Sequence, residues 1–388
     1  MTDSRWRVPL SDVEVDEELL SVGRDVLASG WWSMGPRVAE LEGQFAELTG
    51  ARALAVANGT AALHLALLAL GCGEGDEVIL PSLNFVAAAN VVALVGASPV
   101  FCDVQGADDL NLDPADLEAA ITPNTMAIIA LHYAGYPCDL DAVLEIADRN
   151  GVAVVEDAAH APGARLRGQS LGTFGAIGCF SFFANKNVPV GEGGMVVTTR
   201  PELGERLALL RSHGMTTLTW QRHTGHASSY DVVEPGLNYR LDELRAALAS
   251  VQLAKLERVN DARRRHALHY RELLDGSEEI TIPFRPDAGE SVSSHHLVVA
   301  MLPGGIDRDE VRERMRAAGI QTSVHYPPIH RFSAYAGIGS CRELPHTDDV
   351  AQRIVTLPLY PHMRDDDVEL VASSLVGAVR SAGSTSNV

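Results

Sequence analysis

One lysine stands between an aromatic, small-residue run and a glycine-rich turn: Lys186, in SFFANKNVPVGEGG at residues 181–194. A lysine there is either a solvated or ion-paired charge, or a partly desolvated amine whose lowered pKa makes it a nucleophile for a carbonyl. Two other stretches carry matching chemistry. VAVVEDAAHAPGA ends an apolar strand in Glu156 and Asp157, and an acid at that point either caps the next segment or pairs with a cation. AVANGTAALHLALLAL runs from a strand through Asn-Gly-Thr into a helix. The backbone N–H groups of Gly59 and Thr60 then open a helix start, which is either an ordinary cap or a seat for an anion.

Taken singly, each stretch has an ordinary reading. Together they offer an amine nucleophile, an acid for a ring nitrogen and a cradle for a phosphate. Pyridoxal phosphate (PLP) needs these three things, because an acid that keeps the pyridine nitrogen protonated lets the ring draw in electrons. Ser181, five residues before Lys186, adds a hydroxyl. Phe85, in PSLNFVAAAN after a strand, either stacks on a ring or packs in the core.

Layered α/β structure would bring these chain segments together. ALAVAN, EVILP, SPVFCDV, MAIIALHY, VAVVEDA, GCFSF and GGMVVT read as strands, with helical patterns such as AALHLALLAL and LDAVLEIADRN between several of them. That alternation predicts a mostly parallel sheet with helices on both faces. Ligands of such sheets bind beyond the carboxyl ends of the strands. From Leu241 a single long helical pattern runs to Leu274 and leads out of the sheet. SHHLVVAML, RDEVRERMRAAGI and DDVELVASSLVGAVRSA then predict a smaller α+β unit. The expected division is a large α/β domain over 1–250, its N-terminal segment free to pack on the second, and a small domain over 251–388. The tail SAGSTSNV is expected to be disordered.

Composition narrows the partners. Lys and Arg total 31 against 51 Asp and Glu, a net charge of −20 over 388 residues. That argues against nucleic acid or an anionic membrane surface and leaves room for a small anion held by a few donors. Cys72, Cys102, Cys138, Cys179 and Cys341 are scattered without a C-x-x-C pair. Neither a disulfide framework nor a zinc site is expected, and a reducing cytoplasm fits best. The first residues lack the apolar segment of a signal peptide. FVAAANVVALVGASPVF, interrupted by Asn90, Gly96 and Pro99, reads as helix then strand and not as a membrane span. His223 and His226 have a metal-like spacing, but no acid or cysteine stands close, so no metal is expected.

EDAAHAPGA, SFFANKNVPVGEGG, NGTAAL, PSLNFVAAANVVALVGASPVFCDV and GLNYRLDE resemble the signatures of the DegT-type (DegT/StrS) sugar aminotransferases. These are fold-type I PLP enzymes acting on nucleotide-linked keto sugars. The resemblance covers nearly the whole chain, from GWWSMGPRVAELE to TLPLYP. It implies a mostly parallel seven-stranded sheet between helices, plus a smaller C-terminal α+β domain. It also implies roles. Lys186 would anchor the cofactor covalently and carry protons, and Asp157 would pair with the pyridine nitrogen. Ser181 and the backbone of Gly59 and Thr60 would hold the phosphate. Phe85 would stack on the ring, and His160 would sit near its phenolic oxygen. Asn238 would reach the cofactor phosphate of a neighbouring subunit, making a homodimer with shared active sites.

A branch of that family replaces the lysine by histidine and dehydrates C3, so Lys186 favours transamination. His160 leans the expectation toward sugar C4. The expected amino donor is glutamate or glutamine, and the expected acceptor a nucleotide-activated keto-deoxysugar. A 3-keto sugar or cyclitol aminotransferase stands as an alternative, as does a PLP-binding sensor without turnover. On the substrate side, Arg222 suits a diphosphate, His325, Tyr326 and His330 surround a Pro-Pro turn at the sugar cleft, and Trp32 borders it. The competing readings there are a solvated arginine, a rigid turn and a helix anchor.

Overall fold

Short runs of Val, Ile, Ala and Leu bounded by Gly, Pro and Asp form the main sheet, as β-branched residues favour strands and the bounding residues favour turns. The computed structural model describes residues 6–216, 229–275, 277, 280–284, 290–337 and 342–385. Its strands are β1 (Arg52–Val56), β2 (Glu77–Pro81), β3 (Ser98–Cys102), β4 (Thr125–Leu131), β5 (Ala153–Asp157), a two-strand hairpin of β6 (Arg165–Leu166) and β7 (Gln169–Ser170), β8 (Ile177–Ser181) and β9 (Gly194–Thr198). Seven of them join in the order β1-β9-β8-β5-β4-β2-β3. β9 runs against both neighbours, and every other pairing is parallel. The mostly parallel seven-stranded sheet expected from the sequence is therefore present.

Both faces of the sheet are covered. Ile128 joins Leu41, Phe45 and Phe180 in one apolar cluster, and its neighbour Ile129 joins Leu65, Leu67 and Val196 in another. Successive residues of a strand point to opposite faces, so these clusters lie on the two sides of the sheet. Burial on both faces explains why the strands read as unbroken apolar runs.

Beyond the sheet, β10 (Ser291–Val292) pairs with β6, and β11 (Val298–Met301) pairs antiparallel with β12 (Ile354–Leu357). Helices Leu256–Leu274, Arg308–Ala317 and Asp365–Thr385 surround a further cluster that includes Tyr270, Val298, Met315, Leu375 and, from the N-terminal segment, Val8. Position 250 falls inside the helix Glu243–Ala254. Among the described residues, no helix is long and apolar enough to cross a membrane.

Two expectations are corrected. The pattern from Leu241 is two helices, Glu243–Ala254 and Leu256–Leu274, separated at Lys255. There the Lys255 N–H bonds to Gln252 O at 3.1 Å, a tight turn that interrupts the α ladder. The Lys255 ammonium meanwhile bridges to Asp16 at 2.6 Å and Glu18 at 3.1 Å. The tail is helical through Thr385. Leu375, Ala378, Val379 and Ala382 pack into the apolar cluster and carry the helix on.

Candidate active site

The carboxyl ends of β4, β5 and β8 and the segments after β1 and β2 meet at one edge of the sheet. Gly59, Thr60, Phe85, Asp157, His160, Ser181, Lys186, His325 and Tyr326 all line a cavity of about 390 Å³ there.

The helix Gly59–Leu70 begins on this cavity. Asn58 caps it, its Oδ1 accepting the Ala61 N–H at 2.8 Å. Helix geometry leaves the N–H groups of Gly59 and Thr60 without intrahelical acceptors, and the helix dipole adds positive potential at that end. A Cβ on Gly59 would meet Ser181 Cβ at 2.9 Å. Glycine therefore keeps open the gap between the helix start and the end of β8, where the Ser181 hydroxyl lies.

Asp157 ends β5 and is 5% exposed. Burial raises its pKa, while the Ala159 N–H, the Lys186 charge and the Asn84 side chain act in the opposite direction. A cation placed beside it would favour the carboxylate further. Lys186 is held in the turn after β8, its N–H bonding to Phe183 O at 2.9 Å. Burial pulls its pKa down to about 8, which the Asp157 charge opposes and Arg263 assists. A lysine so placed has far more free amine near neutral pH than an ordinary lysine, as nucleophilic chemistry requires.

Aromatic groups close the other side. Phe85 is 56% exposed and lies with its centroid 5.9 Å from that of Tyr326. His160 accepts the Ala134 N–H on Nδ1 at 3.2 Å, so its proton is on Nε2, which donates to Tyr326 Oη at 2.8 Å. Burial first, and then the charges of Lys186 and His325, hold the His160 pKa well below its usual value. His160 is therefore a neutral donor. His325 pairs through Nδ1 with Thr356 Oγ1 at 2.9 Å, and burial lowers its pKa to about 4.

Other candidates lie elsewhere. Asn238 is exposed, pairs through its backbone with Ser212 and is not part of this cavity's wall. Trp32 is 59% exposed and donates from Nε1 to Leu27 O at 3.4 Å. His330 is engaged with Ser82 Oγ at 2.7 Å and Asp348 at 3.2 Å. Arg222, with His223 and His226, lies outside the described residues. Among the described residues, no group of three His, Cys, Asp or Glu is placed to hold a metal ion.

Several site residues had no sequence signal. His296 lies with Nε2 3.4 Å from Lys186 Nζ, although the two are far apart in the chain. Asn84 had only its place beside Phe85 to mark it. Glu156, read together with Asp157, turns out to be a structural acid: it accepts the N–H groups of Gly172, Phe174 and Gly175 at 2.6–2.7 Å and bonds to His132 at 2.9 Å.

The donor set fits PLP: free N–H groups and a hydroxyl for a phosphate, a buried acid for a ring nitrogen, and a low-pKa amine for an aldehyde, with glycine leaving the room. Fold and cavity together define a PLP-dependent aminotransferase. The sequence profile of the DegT/DnrJ/EryC1/StrS aminotransferase family matches residues 13–376, and the chain belongs to that family. Solved structures agree closely. The aminotransferase TlmJ from Streptoalloteichus hindustanus is 34% identical, with a TM-score of 0.89 over 96% of this chain and 99% of its own. DesV from S. venezuelae is 37% identical, with a TM-score of 0.88 over 96% and 98%. The putative sugar aminotransferase Spr1654 from Streptococcus pneumoniae, in its PLP form, is 28% identical, with a TM-score of 0.89 over 97% and 99%.

Proposed function

We propose that this enzyme is a sugar aminotransferase that moves an amino group from glutamate or glutamine to a nucleotide-activated keto-deoxysugar at C4. The observation carrying the reading is the placement of Lys186, Asp157 and the Gly59–Thr60 helix start around one cavity. Similarity to sugar aminotransferases supports the substrate class. The C4 position rests on His160 alone.

In this reading the backbone of Gly59 and Thr60 and the Ser181 hydroxyl hold the cofactor phosphate. Asp157 holds the proton of the ring nitrogen, Phe85 covers the ring, and the neutral His160 stands near its phenolic oxygen. PLP, when bound, supplies an electron sink for the carbon that loses its proton and a carrier for the amino group. The Lys186 Nζ takes the proton from the α carbon of the donor and later delivers one to the sugar carbon. Positioned acid–base work of this kind contributes roughly 10²–10⁴-fold. His325 and Tyr326 stand on the sugar side of the cavity, with Trp32, Arg222 and His330 assigned to the outer cleft.

A homodimer belongs to the same reading. Its support is that Asn238 is exposed and does not line its own chain's cavity, and that Tyr230, Val232 and Val233, a few residues earlier, are half-exposed apolar groups. The division into domains over 1–250 and 251–388 is supported by the separate apolar cluster around Tyr270 and Leu375. A cytoplasmic setting is supported by the free, buried state of Cys72, Cys102, Cys138 and Cys179.

The test is a panel of nucleotide-linked 3-keto and 4-keto sugars incubated with glutamate and PLP, read by mass spectrometry. Amination of 4-keto substrates alone is expected. Amination of the 3-keto sugars alone would overturn the C4 assignment, and amination of only unlinked cyclitol ketones would overturn the nucleotide requirement.

A further inference from the structure

We infer that His296 is a positioning residue for Lys186: it presents an unprotonated Nε2 to the lysine amine, and a chain of amides anchored on backbone carbonyls imposes that tautomer. The inference rests on reading Lys186 as the working amine, but it is tested on cofactor-free protein, so either can fail without the other.

The chain of amides starts at Pro162. Asn260 Nδ2 donates to Pro162 O at 2.9 Å, which turns Asn260 Oδ1 toward Asn187. Asn187 Nδ2 donates to Asn260 Oδ1 and to Ser294 O, each at 2.8 Å. With its NH₂ committed to two acceptors, Asn187 presents Oδ1 to His296 Nδ1 at 3.0 Å. An amide oxygen only accepts. The His296 proton therefore resides on Nδ1, and Nε2 carries a lone pair 3.4 Å from Lys186 Nζ. One ring nitrogen is thus set by the bond that the other makes.

Burial makes the arrangement rigid. Asn187 is 1% and His296 3% exposed. The His160 ring lies 4.5 Å from that of His296, centroid to centroid. Arg263 sits behind, donating to His296 O at 3.3 Å and Leu359 O at 3.1 Å. The titratable groups acting on His296 are Lys186, His160, Arg263 and His325, and the acid acting on Lys186 is Asp157. Burial first, with the charges of Lys186 and Arg263, keeps the His296 imidazole neutral. Asn187 also follows Lys186 directly in the chain, so the turn that aims the amine also aims the group that orients its acceptor.

An acceptor facing Nζ does two things. It restrains the amine toward one direction, and it favours the ammonium form against the desolvation that disfavours it. Removing it should lower the lysine pKa further. Hydrogen bonds to charged groups are strong enough that a shift of about one pH unit is expected.

The experiment is pH-dependent competitive labelling of the full-length, cofactor-free protein with an amine-reactive reagent, read by peptide mass spectrometry. The chain has only two lysines, Lys186 and Lys255, so Lys255 is an internal control in the same sample. His296→Leu should move the Lys186 midpoint down by about one unit and leave Lys255 unmoved. His296→Gln, whose amide can donate to Asn187 and accept from Lys186, should restore most of the shift. An unchanged midpoint in His296→Leu overturns the inference, and so does a His296→Gln protein that behaves like it. ¹⁵N-histidine spectra of the parent protein decide the tautomer without any substitution. A proton on Nδ1 of His296 is expected, and a proton on Nε2 would overturn the proposal even if the Leu variant failed to fold.

Discussion

Glu156 and Asp157 are consecutive residues of β5 that serve opposite faces of one sheet. The Glu156 carboxylate is sealed against the backbone of Gly172, Phe174 and Gly175 and against His132, whereas Asp157 opens onto the cavity with Lys186. One strand end thus places a structural acid beside an acid open to the cavity, and substitution should separate their roles.

Glu156→Ala strips the acceptor from the buried Gly172 N–H, the part-buried N–H groups of Phe174 and Gly175, and His132. A loss of about 3–5 kcal/mol in urea unfolding is expected. Asp157→Asn should leave unfolding nearly unchanged, because an isosteric amide is no harder to bury than a carboxyl group. Turnover of that variant should fall by about 10²-fold or more if Asp157 supplies the charge proposed for the ring nitrogen. Equal effects of the two changes on stability would contradict the division.

Gly59 is tested by a single methyl group. A Cβ there lies 2.9 Å from Ser181 Cβ, and overpacking of this kind costs about 1–3 kcal/mol. Relief by moving the helix start would spoil the phosphate seat. Gly59→Ala should weaken PLP affinity about tenfold in an absorbance titration, with the circular dichroism spectrum unchanged.

Phe85 offers the complementary case of a half-exposed aromatic side chain over a cavity. Phe85→Ala should change stability little, since little packing is lost. Aromatic stacking is worth about 0.5–1.5 kcal/mol, so PLP affinity should fall about 2- to 13-fold in the same titration.

With Lys186 as the proposed base, its amine sets the expected pH dependence. Proton abstraction needs the free amine, and burial has brought its pKa down to about 8. The rate of the glutamate half-reaction should therefore rise with pH, bend near 8 and level off above it. Lys255 does not interfere, because Asp16 and Glu18 hold its pKa above the ordinary value. A rate still climbing steeply toward pH 10 would place the working amine in an ordinary lysine environment.

Dimer sharing predicts complementation. Lys186→Ala and Asn238→Ala proteins, each impaired alone, should regain activity when unfolded together and refolded as a mixture. Such hetero-dimers hold one site with both residues intact. No recovery in verified hetero-dimers would put Asn238 outside the partner's site.

Much of this was legible in the sequence for a local reason. The seven main strands are buried on both faces, so they appear as apolar runs; Asp157 ends such a run, and Gly59, Phe85 and Lys186 follow one within a few residues. The features that escaped depend on distant parts of the chain. The break at Lys255 coincides with an ion pair to Asp16 and Glu18 at the other end of the protein. His296 and Asn260 meet Lys186 and Asn187 only after the helix Leu256–Leu274 and the segment before β11 have packed against the sheet domain. The helix runs on past Ser381 because the turns before it bury Leu375, Ala378 and Val379, and Ala382 joins the same cluster.

The central claim is that the Lys186 amine takes up the aldehyde of PLP. Load the purified protein with PLP, reduce it with borohydride, digest it and map the pyridoxyl label by mass spectrometry. With only two lysines in the chain, the outcome is unambiguous: the label is predicted on Lys186 in near-stoichiometric yield, with Lys255 unlabelled. A fully loaded protein whose Lys186 peptide returns unmodified would contradict the account.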